Sequence, residues 1–295
     1  MNPFKGIYTA LITPFKNHKP ILSIDEPSLR SFIDWQIEEG VDGFVACGTT
    51  GESATLSHEE KKQVIEIVIK QAKNRVPVIA GTGTNNTADS HELTAWAKKQ
   101  GASAALIVTP YYNKPSQEGL YRHFEAISKI GLPLILYNVP GRTAVSLTPQ
   151  TIGRLSKIEN IVAIKEATGS LSFASEVLQE TQGKMSLISG DDFTFLPLLS
   201  LGADGVISVV SNITPRLFKK LYTSFKSGDL ATAQSIHFKL YPLIQALFME
   251  TNPVPAKTAL SLMKKISLEF RLPLCEMESK NLEQLKHTLQ KLELI

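Results

Sequence analysis

The chain has 295 residues, 43% hydrophobic and 20% charged, and its 31 basic and 28 acidic side chains give a formal net charge of +3. This is the composition of a soluble globular protein, enough for one large barrel or two modest domains, and its charges lack the dense blocks of a nucleic-acid or membrane-surface protein. Cys47 and Cys275 are its two cysteines; far apart and without metal-ligand spacing, they argue against a disulfide scaffold and for a reducing cytosol.

The opening Met1-Asn2-Pro3-Phe4-Lys5-Gly6 lacks the charged region, apolar stretch and cleavage site of a secretion signal. No apolar stretch approaches the roughly 20 residues of a bilayer span. A cytoplasmic protein that neither enters a membrane nor binds nucleic acid is expected. Short β-branched runs then recur: Gly6 to Ile12, Val41 to Cys47, Val76 to Ala80, Ala104 to Val108, Pro133 to Tyr137, Ile161 to Lys165, Met185 to Ser189 and Gly205 to Val209. Each is bounded by Gly, Pro, Asn or Asp and reads as a strand. Most of the intervening segments have helical periodicity; Ser57-His58-Glu59-Glu60 caps and opens one that runs through Ile65 and Ile69.

Eight strands alternating with helices, mostly apolar on both faces, predict a parallel (β/α)8 TIM barrel rather than an open doubly wound sheet. Gly81-Thr82-Gly83 lacks the third glycine of a dinucleotide fingerprint. Ile213-Thr214-Pro215 marks a helix start. Beyond it Leu217, Leu221 and Phe225, and then Leu282, Leu285, Leu289 and Leu292, form apolar stripes of the kind that pack. The expected organisation is a barrel over residues 1–214 and a C-terminal helical region over 215–295.

In such a barrel the chemistry lies at the carboxyl ends of the strands. Gly48-Thr49-Thr50-Gly51-Glu52, Thr109-Pro110-Tyr111-Tyr112, Tyr137-Asn138-Val139-Pro140-Gly141-Arg142, Lys165, Gly190-Asp191-Asp192 and Ile207-Ser208 all fall there. Lys165 follows the buried run Ile161 to Ile164. An ammonium is costly to desolvate, so an amine in that place is paired, exposed at the strand tip, or shifted towards the neutral form that makes imines with ketones. Pairing with Glu166 or simple solvent exposure stays open for this residue alone. Each neighbour also has a plain reading: a tight turn for Gly48 to Gly51, core-edge phenols for Tyr112 and Tyr137, a surface ion pair for Arg142. Their conjunction favours an imine-forming site. His91 and Glu92 lack a second histidine at ligand spacing, so no metal is expected, and neither a phosphate loop nor a nucleophile elbow is present.

The motifs Gly48-Thr49-Thr50-Gly51-Glu52, Thr109-Pro110-Tyr111-Tyr112-Asn113, Tyr137-Asn138-Val139-Pro140-Gly141-Arg142-Thr143, Ile164-Lys165-Glu166-Ala167 and Ser189-Gly190-Asp191-Asp192 together resemble the dihydrodipicolinate synthases of the pyruvate-dependent lyase superfamily, over nearly the whole chain. The resemblance implies a Schiff base between Lys165 and pyruvate, condensation with L-aspartate 4-semialdehyde, and no added cofactor. It implies proton transfer by Tyr137 through Thr49 to Tyr112 of a neighbouring subunit. Thr50, Gly190 and Ile207 map to pyruvate contacts, and Arg142 to a clamp on the semialdehyde carboxylate. A homotetramer built as a dimer of dimers is implied as well. A lysine-effector site in some members would correspond here to Ser53, Ala54, His58, Asn85, Asp89 and Tyr111, with Asp89 departing from an expected glutamate.

A sister lyase taking a sugar aldehyde is the nearest alternative, and Thr49-Thr50 with Gly141-Arg142 disfavours it. A non-catalytic sensor would have lost the amine or a relay hydroxyl. A phosphate-binding isomerase is opposed by the two carboxylates of Asp191-Asp192, which would repel phosphate.

Overall fold

Apolar runs bounded by turn residues become strands at all eight expected places. The structure, a computed structural model, describes residues 4–18 and 21–295; the reading of Met1 to Pro3 lies outside them. In chain order come β1 (Gly6–Ala10), β2 (Phe15–His18), β3 (Ile21–Ile24), α1 (Glu26–Glu38), β4 (Gly43–Ala46), α2 (His58–Ala72), β5 (Val78–Gly81) and α3 (Thr87–Lys99). Next are β6 (Ala104–Val108), α4 (Gln117–Ser128), β7 (Leu134–Asn138), α5 (Pro140–Thr143), α6 (Pro149–Leu155), β8 (Ile161–Glu166), α7 (Leu171–Thr181), β9 (Ser186–Ser189), α8 (Phe195–Leu201) and β10 (Gly205–Ser208). The chain ends in α9 (Pro215–Lys226), α10 (Leu230–Leu247), α11 (Val254–Leu262) and α12 (Ser279–Lys291). All strands but β2 and β3 belong to one parallel sheet closed in the order β1-β10-β9-β8-β7-β6-β5-β4, the TIM-barrel architecture that the alternation predicts.

Two compact units divide the described residues, one of Pro77–Ile207 with Phe4 to Gly6, the other of Ile7–Val76 with Ser208–Ile295. In the first, β5 to β10 pair consecutively in parallel. Their side chains are buried almost throughout because helices cover one face and the barrel interior takes the other. Register sets two adjacent rows across this sheet: Val108, Tyr137, Lys165 and Ile188, followed one residue later by Asn138, Glu166, Ser189 and Val206. Since side chains alternate along a strand, the rows face opposite sides. The helices begin at side-chain caps: Asn86 accepts from Ala88 N, Ser116 from Gly119 N, Thr148 from Thr151 N and Ser170 from Phe173 N.

In the second unit β1 pairs in parallel with β4. The antiparallel hairpin of β2 and β3 was not foreseen from the sequence. At α2 the expected capping box forms, with Ser57 accepting from Glu60 N and Glu60 accepting from Ser57 N. Its buried stripe runs through Val64, Ile65 and Val68, and Ile69 is only half-buried. On α9 the buried positions are Phe218 and Leu221, while Leu217 and Phe225 of the expected stripe are half-buried; on α12 Leu285 and Leu289 are buried and Leu282 and Leu292 half-buried. In each case the spacing located the helix correctly but placed the buried face slightly off. Among the described residues no helix is long and apolar enough to cross a membrane.

Candidate active site

The register that aligns β7 with β8 puts Tyr137 directly beside Lys165. Both are 6% exposed, and Lys165 Nζ lies 4.1 Å from the centroid of the Tyr137 ring. A cation there is attracted by the ring face, and a neutral amine there has a phenol at its side. Lys165 forms no ion pair among the described residues, so pairing with Glu166 is ruled out as its explanation. The alternation of β8 sends Glu166 to the other side.

Gly190, directly after β9, closes in on Lys165. Its N–H donates to Glu166 O at 2.6 Å, and a Cβ built on it would stand 2.8 Å from Ala167 Cβ and 3.0 Å from Lys165 Cγ. Any larger residue would press on the stem of the lysine. Ile207 is buried on β10.

Arg142 is exposed on the single turn of α5, and the loop around it is firmly held. Thr109 Oγ1 donates to Thr143 Oγ1 at 3.1 Å, and Thr143 Oγ1 donates to Val145 O at 2.9 Å. Ala144 follows in the left-handed region at φ 57°. The far end is pinned by Asn138, whose Oδ1 accepts from Leu147 N at 3.0 Å and whose Nδ2 donates to Ser146 Oγ at 3.2 Å. Glu166 does the same for the next loop, accepting from Thr168 N at 2.7 Å. Its carboxyl is pushed above the usual range, chiefly by burial, with hydrogen bonds from Thr168 opposing and the charge of Asp191 adding to the rise. Asn138 and Glu166, neighbours in register, thus fix the loops that leave the strands of Tyr137 and Lys165. Sequence reading had no role for Asn138; its signal was a polar residue ending an otherwise apolar strand.

Tyr112 differs from the buried Tyr137 and Lys165 in its exposure. It is 91% exposed, stands in the left-handed region at φ 73°, and its hydroxyl has no hydrogen-bond partner among the described residues. A bulky residue held at positive φ is strained backbone of the kind that clusters at functional sites. Tyr111 and Asn85 are brought together through Asn113, whose N–H donates to Tyr111 O and whose Nδ2 donates to Asn85 O, each at 2.9 Å. Asp89 is exposed in the first turn of α3.

The remaining expected residues belong to the second unit. Thr49 and Thr50 sit in the turn after β4, where Gly51 N donates to Gly48 O and Glu52 N to Thr49 O, both at 3.1 Å. Ser53 and Ala54 lie on one turn of 3-10 helix and His58 opens α2. Thr50 accepts from Asn252 Nδ2 at 3.0 Å. Glu52 meets Lys257: Nζ donates to Glu52 Oε1 at 2.5 Å and to Glu269 O at 2.7 Å, with both side chains wholly buried. Burial pulls the Lys257 amine below the usual range, and the Glu52 charge works against that pull. The Phe15 ring has Lys257 Nζ at 4.3 Å and Arg271 Cζ at 4.5 Å from its centroid. Arg271 in turn grips Glu60 with two bonds of 2.7 and 2.6 Å, which hold the Glu60 carboxyl down at about 2. Asn252 and Lys257 were missed in the sequence. A lysine inside the apolar run Val254 to Leu262 was the available signal, on the same desolvation argument that singles out Lys165.

A model of the dihydrodipicolinate synthetase family matches residues 3–292. The chain is 53% identical over 293 residues to a 4-hydroxy-tetrahydrodipicolinate synthase of Thermodesulfovibrio yellowstonii, covering 99% of each. It is 52% identical over 288 residues to one of Nitratidesulfovibrio vulgaris, covering 97% of each. Among solved structures it is similar to a dihydrodipicolinate synthase from Aquifex aeolicus, at 45% identity and a TM-score of 0.96 over 99% of both chains. It is also similar to one from Cyanidioschyzon merolae with lysine bound, at 38% identity and a TM-score of 0.95 over 99% of both.

Proposed function

The chain belongs to the dihydrodipicolinate synthetase family, and from that premise we propose that it is a 4-hydroxy-tetrahydrodipicolinate synthase acting in diaminopimelate and lysine biosynthesis. It condenses pyruvate with L-aspartate 4-semialdehyde. The amine of Lys165 attacks the ketone carbon of pyruvate, water leaves, and a protonated imine forms. The imine draws electrons from the methyl group, which loses a proton to become the enamine carbon. That carbon bonds to the aldehyde carbon of the semialdehyde, whose oxygen takes up a proton. The amine of the second substrate then adds to the imine carbon and expels Lys165, closing the ring. No step is an oxidation or a reduction overall, and the protonated imine serves as the electron sink, so the scheme calls for no added cofactor.

The observation that carries this reading is the juxtaposition of Lys165 and Tyr137, a buried amine with no ion-pair partner among the described residues, 4.1 Å from the ring of a phenol on the adjacent strand. Tyr137 is the group assigned to proton transfer, with Thr49 and the Tyr112 of a neighbouring subunit as its relay. A relay lets a phenol with an ordinary pKa of about 10 pass protons without releasing them to bulk water. The exposure of Tyr112 supports its use outside its own subunit, and a homotetramer in the cytoplasm is the assembly proposed. Thr50, Gly190 and Ile207 line the pyruvate end. Arg142, with a planar fork suited to carboxylates, takes the semialdehyde carboxylate.

Lysine is proposed as an effector at Ser53, Ala54, His58, Asn85, Asp89 and Tyr111. Asp89 has one methylene fewer than a glutamate, which shortens its reach by more than about 1 Å and weakens that site. Unchanged activity up to millimolar lysine would dismiss it.

The central test is borohydride trapping with pyruvate, read by peptide mass, followed by assay with the semialdehyde. The expected adduct is on Lys165, with semialdehyde consumed. An adduct on another residue would overturn the mechanism, and an intact adduct without semialdehyde consumption would make the chain a sister lyase.

A further inference from the structure

The threonine loop after β4 is bracketed by two non-glycine residues in the left-handed region, Cys47 at φ 55° and Glu52 at φ 53°. Such backbone persists only where the surroundings over-determine it. For Glu52 the surroundings come from a distant stretch of chain. Lys257 donates to it at 2.5 Å across 205 residues, and the Arg271 N–H reaches its other oxygen at 3.4 Å. Five residues before Lys257, Asn252 Nδ2 donates to Thr50 Oγ1 at 3.0 Å across 202 residues. One arm of chain therefore grips the loop twice, once at its strained end and once at a threonine hydroxyl.

The second grip has a direction. Thr50 is 2% exposed, and the bond from Asn252 is the one hydrogen bond its hydroxyl makes among the described residues. A hydroxyl that accepts from an amide N–H retains its own proton for another acceptor. Buried donors are normally satisfied, so this one is provided for a ligand atom that accepts. A carboxylate oxygen accepts without donating and makes the stronger, charge-assisted bond. The first grip supplies rigidity. With Glu52 and Lys257 both wholly buried, moving the loop would separate two charges in a medium that solvates neither.

We propose that Asn252 and Lys257 are positioning residues for the keto acid: Asn252 sets the polarity of the Thr50 hydroxyl so that it donates to the substrate carboxylate, and Lys257 holds the loop in place through Glu52. The inference rests on the pyruvate-imine reading given above. It assigns substrate affinity to residues that touch no substrate.

Steady-state kinetics of Asn252→Asp, Asn252→Ala and the double variant Glu52→Gln/Lys257→Met test it, alongside thermal melts and borohydride trapping at saturating pyruvate. A carboxylate at 252 only accepts, so it turns the Thr50 proton away from the substrate, and the pyruvate KM should rise about tenfold or more. Alanine leaves that proton free to find the substrate, and the rise should be only a few-fold. The double variant replaces a buried ion pair with uncharged side chains of similar length, which proteins tolerate. It should melt within a few degrees of wild type yet show a pyruvate KM raised several-fold. In all three the KM for the semialdehyde should hold, as should adduct formation on Lys165 at saturation. A pyruvate KM within twofold of wild type in Asn252→Asp, or a larger rise in Asn252→Ala than in Asn252→Asp, would overturn the polarity role. A native melt with unchanged KM in the double variant would overturn the role of Lys257. If Asn252→Asp does not fold, unchanged pyruvate KM in the other two overturns the whole. A wild type that forms no adduct on Lys165 removes the keto-acid reading, and this proposal with it.

Discussion

Two lysines among the described residues are withdrawn from water, and the chain provides for them in opposite ways. Lys257 has a carboxylate at 2.5 Å, a carbonyl at 2.7 Å and the faces of Phe15 and Phe270 around it. Its charge is matched, two of its three N–H donors go to oxygen, and aromatic faces lie beside it. Lys165 has a phenol ring and the close approach of Gly190, with no carboxylate paired to it among the described residues. Burial alone therefore says little about a lysine's task. What matters is whether the neighbours complete it or leave it unfinished, and only an unfinished amine is ready to bond to carbon.

The sharpest way to break this contrast is to remove each amine and see which property disappears. Lys165→Ala should lower turnover on the order of a thousandfold or more, abolish the borohydride adduct and leave the melting temperature within a few degrees. Retained activity would end the comparison. Lys257→Met alone should do the converse, destabilising the fold by roughly 3–5 kcal/mol in denaturant titration because Glu52 is left as an uncompensated buried charge. A loss below about 1 kcal/mol would mean that the pair is not held as ions. Tyr137→Phe keeps the ring beside Lys165 and deletes its hydroxyl. The adduct should still form while turnover falls about a hundredfold, as expected for a lost proton carrier.

A third buried base extends the comparison to a group kept neutral. His123 is buried on α4, with Nδ1 at 2.9 Å from Thr87 Oγ1 and Nε2 without a partner among the described residues, and burial lowers its pKa to about 4. The unfolded chain takes up this proton near pH 6.5 and the folded chain only near 4, so below 6.5 the unfolded state binds more protons. The stability tied to the neutral ring is therefore complete above about pH 6.5. It declines as pH falls and is gone below about 4, a change of at most about 3 kcal/mol. Replacing His123 with glutamine should flatten that part of a stability profile against pH, and an unchanged slope would assign the dependence to other groups.

Much of the fold was legible because it is local. The strand Ala104–Val108 and the capping box at Ser57 need only neighbours a few residues away, and hydrophobic period and turn residues report on those. The hairpin of β2 and β3 escaped because its strands are four residues each, too short for a clear alternation. Within the site, Lys165 and Tyr137 stood out because each ends an apolar run. Lys257 did not, although it sits among apolar residues too, because its partner Glu52 lies 205 residues away and no local pattern encodes such a pairing. The left-handed backbone of Tyr112 was equally invisible, since nothing in a tyrosine's chemistry announces a positive φ.

The separation between Glu52 and Lys257 also orders events in time. A ribosome adding roughly 5 to 20 residues per second takes about 10 to 40 s to travel from one to the other. Throughout that interval Thr49, Thr50 and Glu52 exist without the arm that grips them. Tyr137, Lys165 and Gly190 are also made before that arm. The threonine loop is thus translated early and finished late, and a chain stopped short of Lys257 would carry the amine proposed to bond the substrate without the anchor for the loop proposed to receive it.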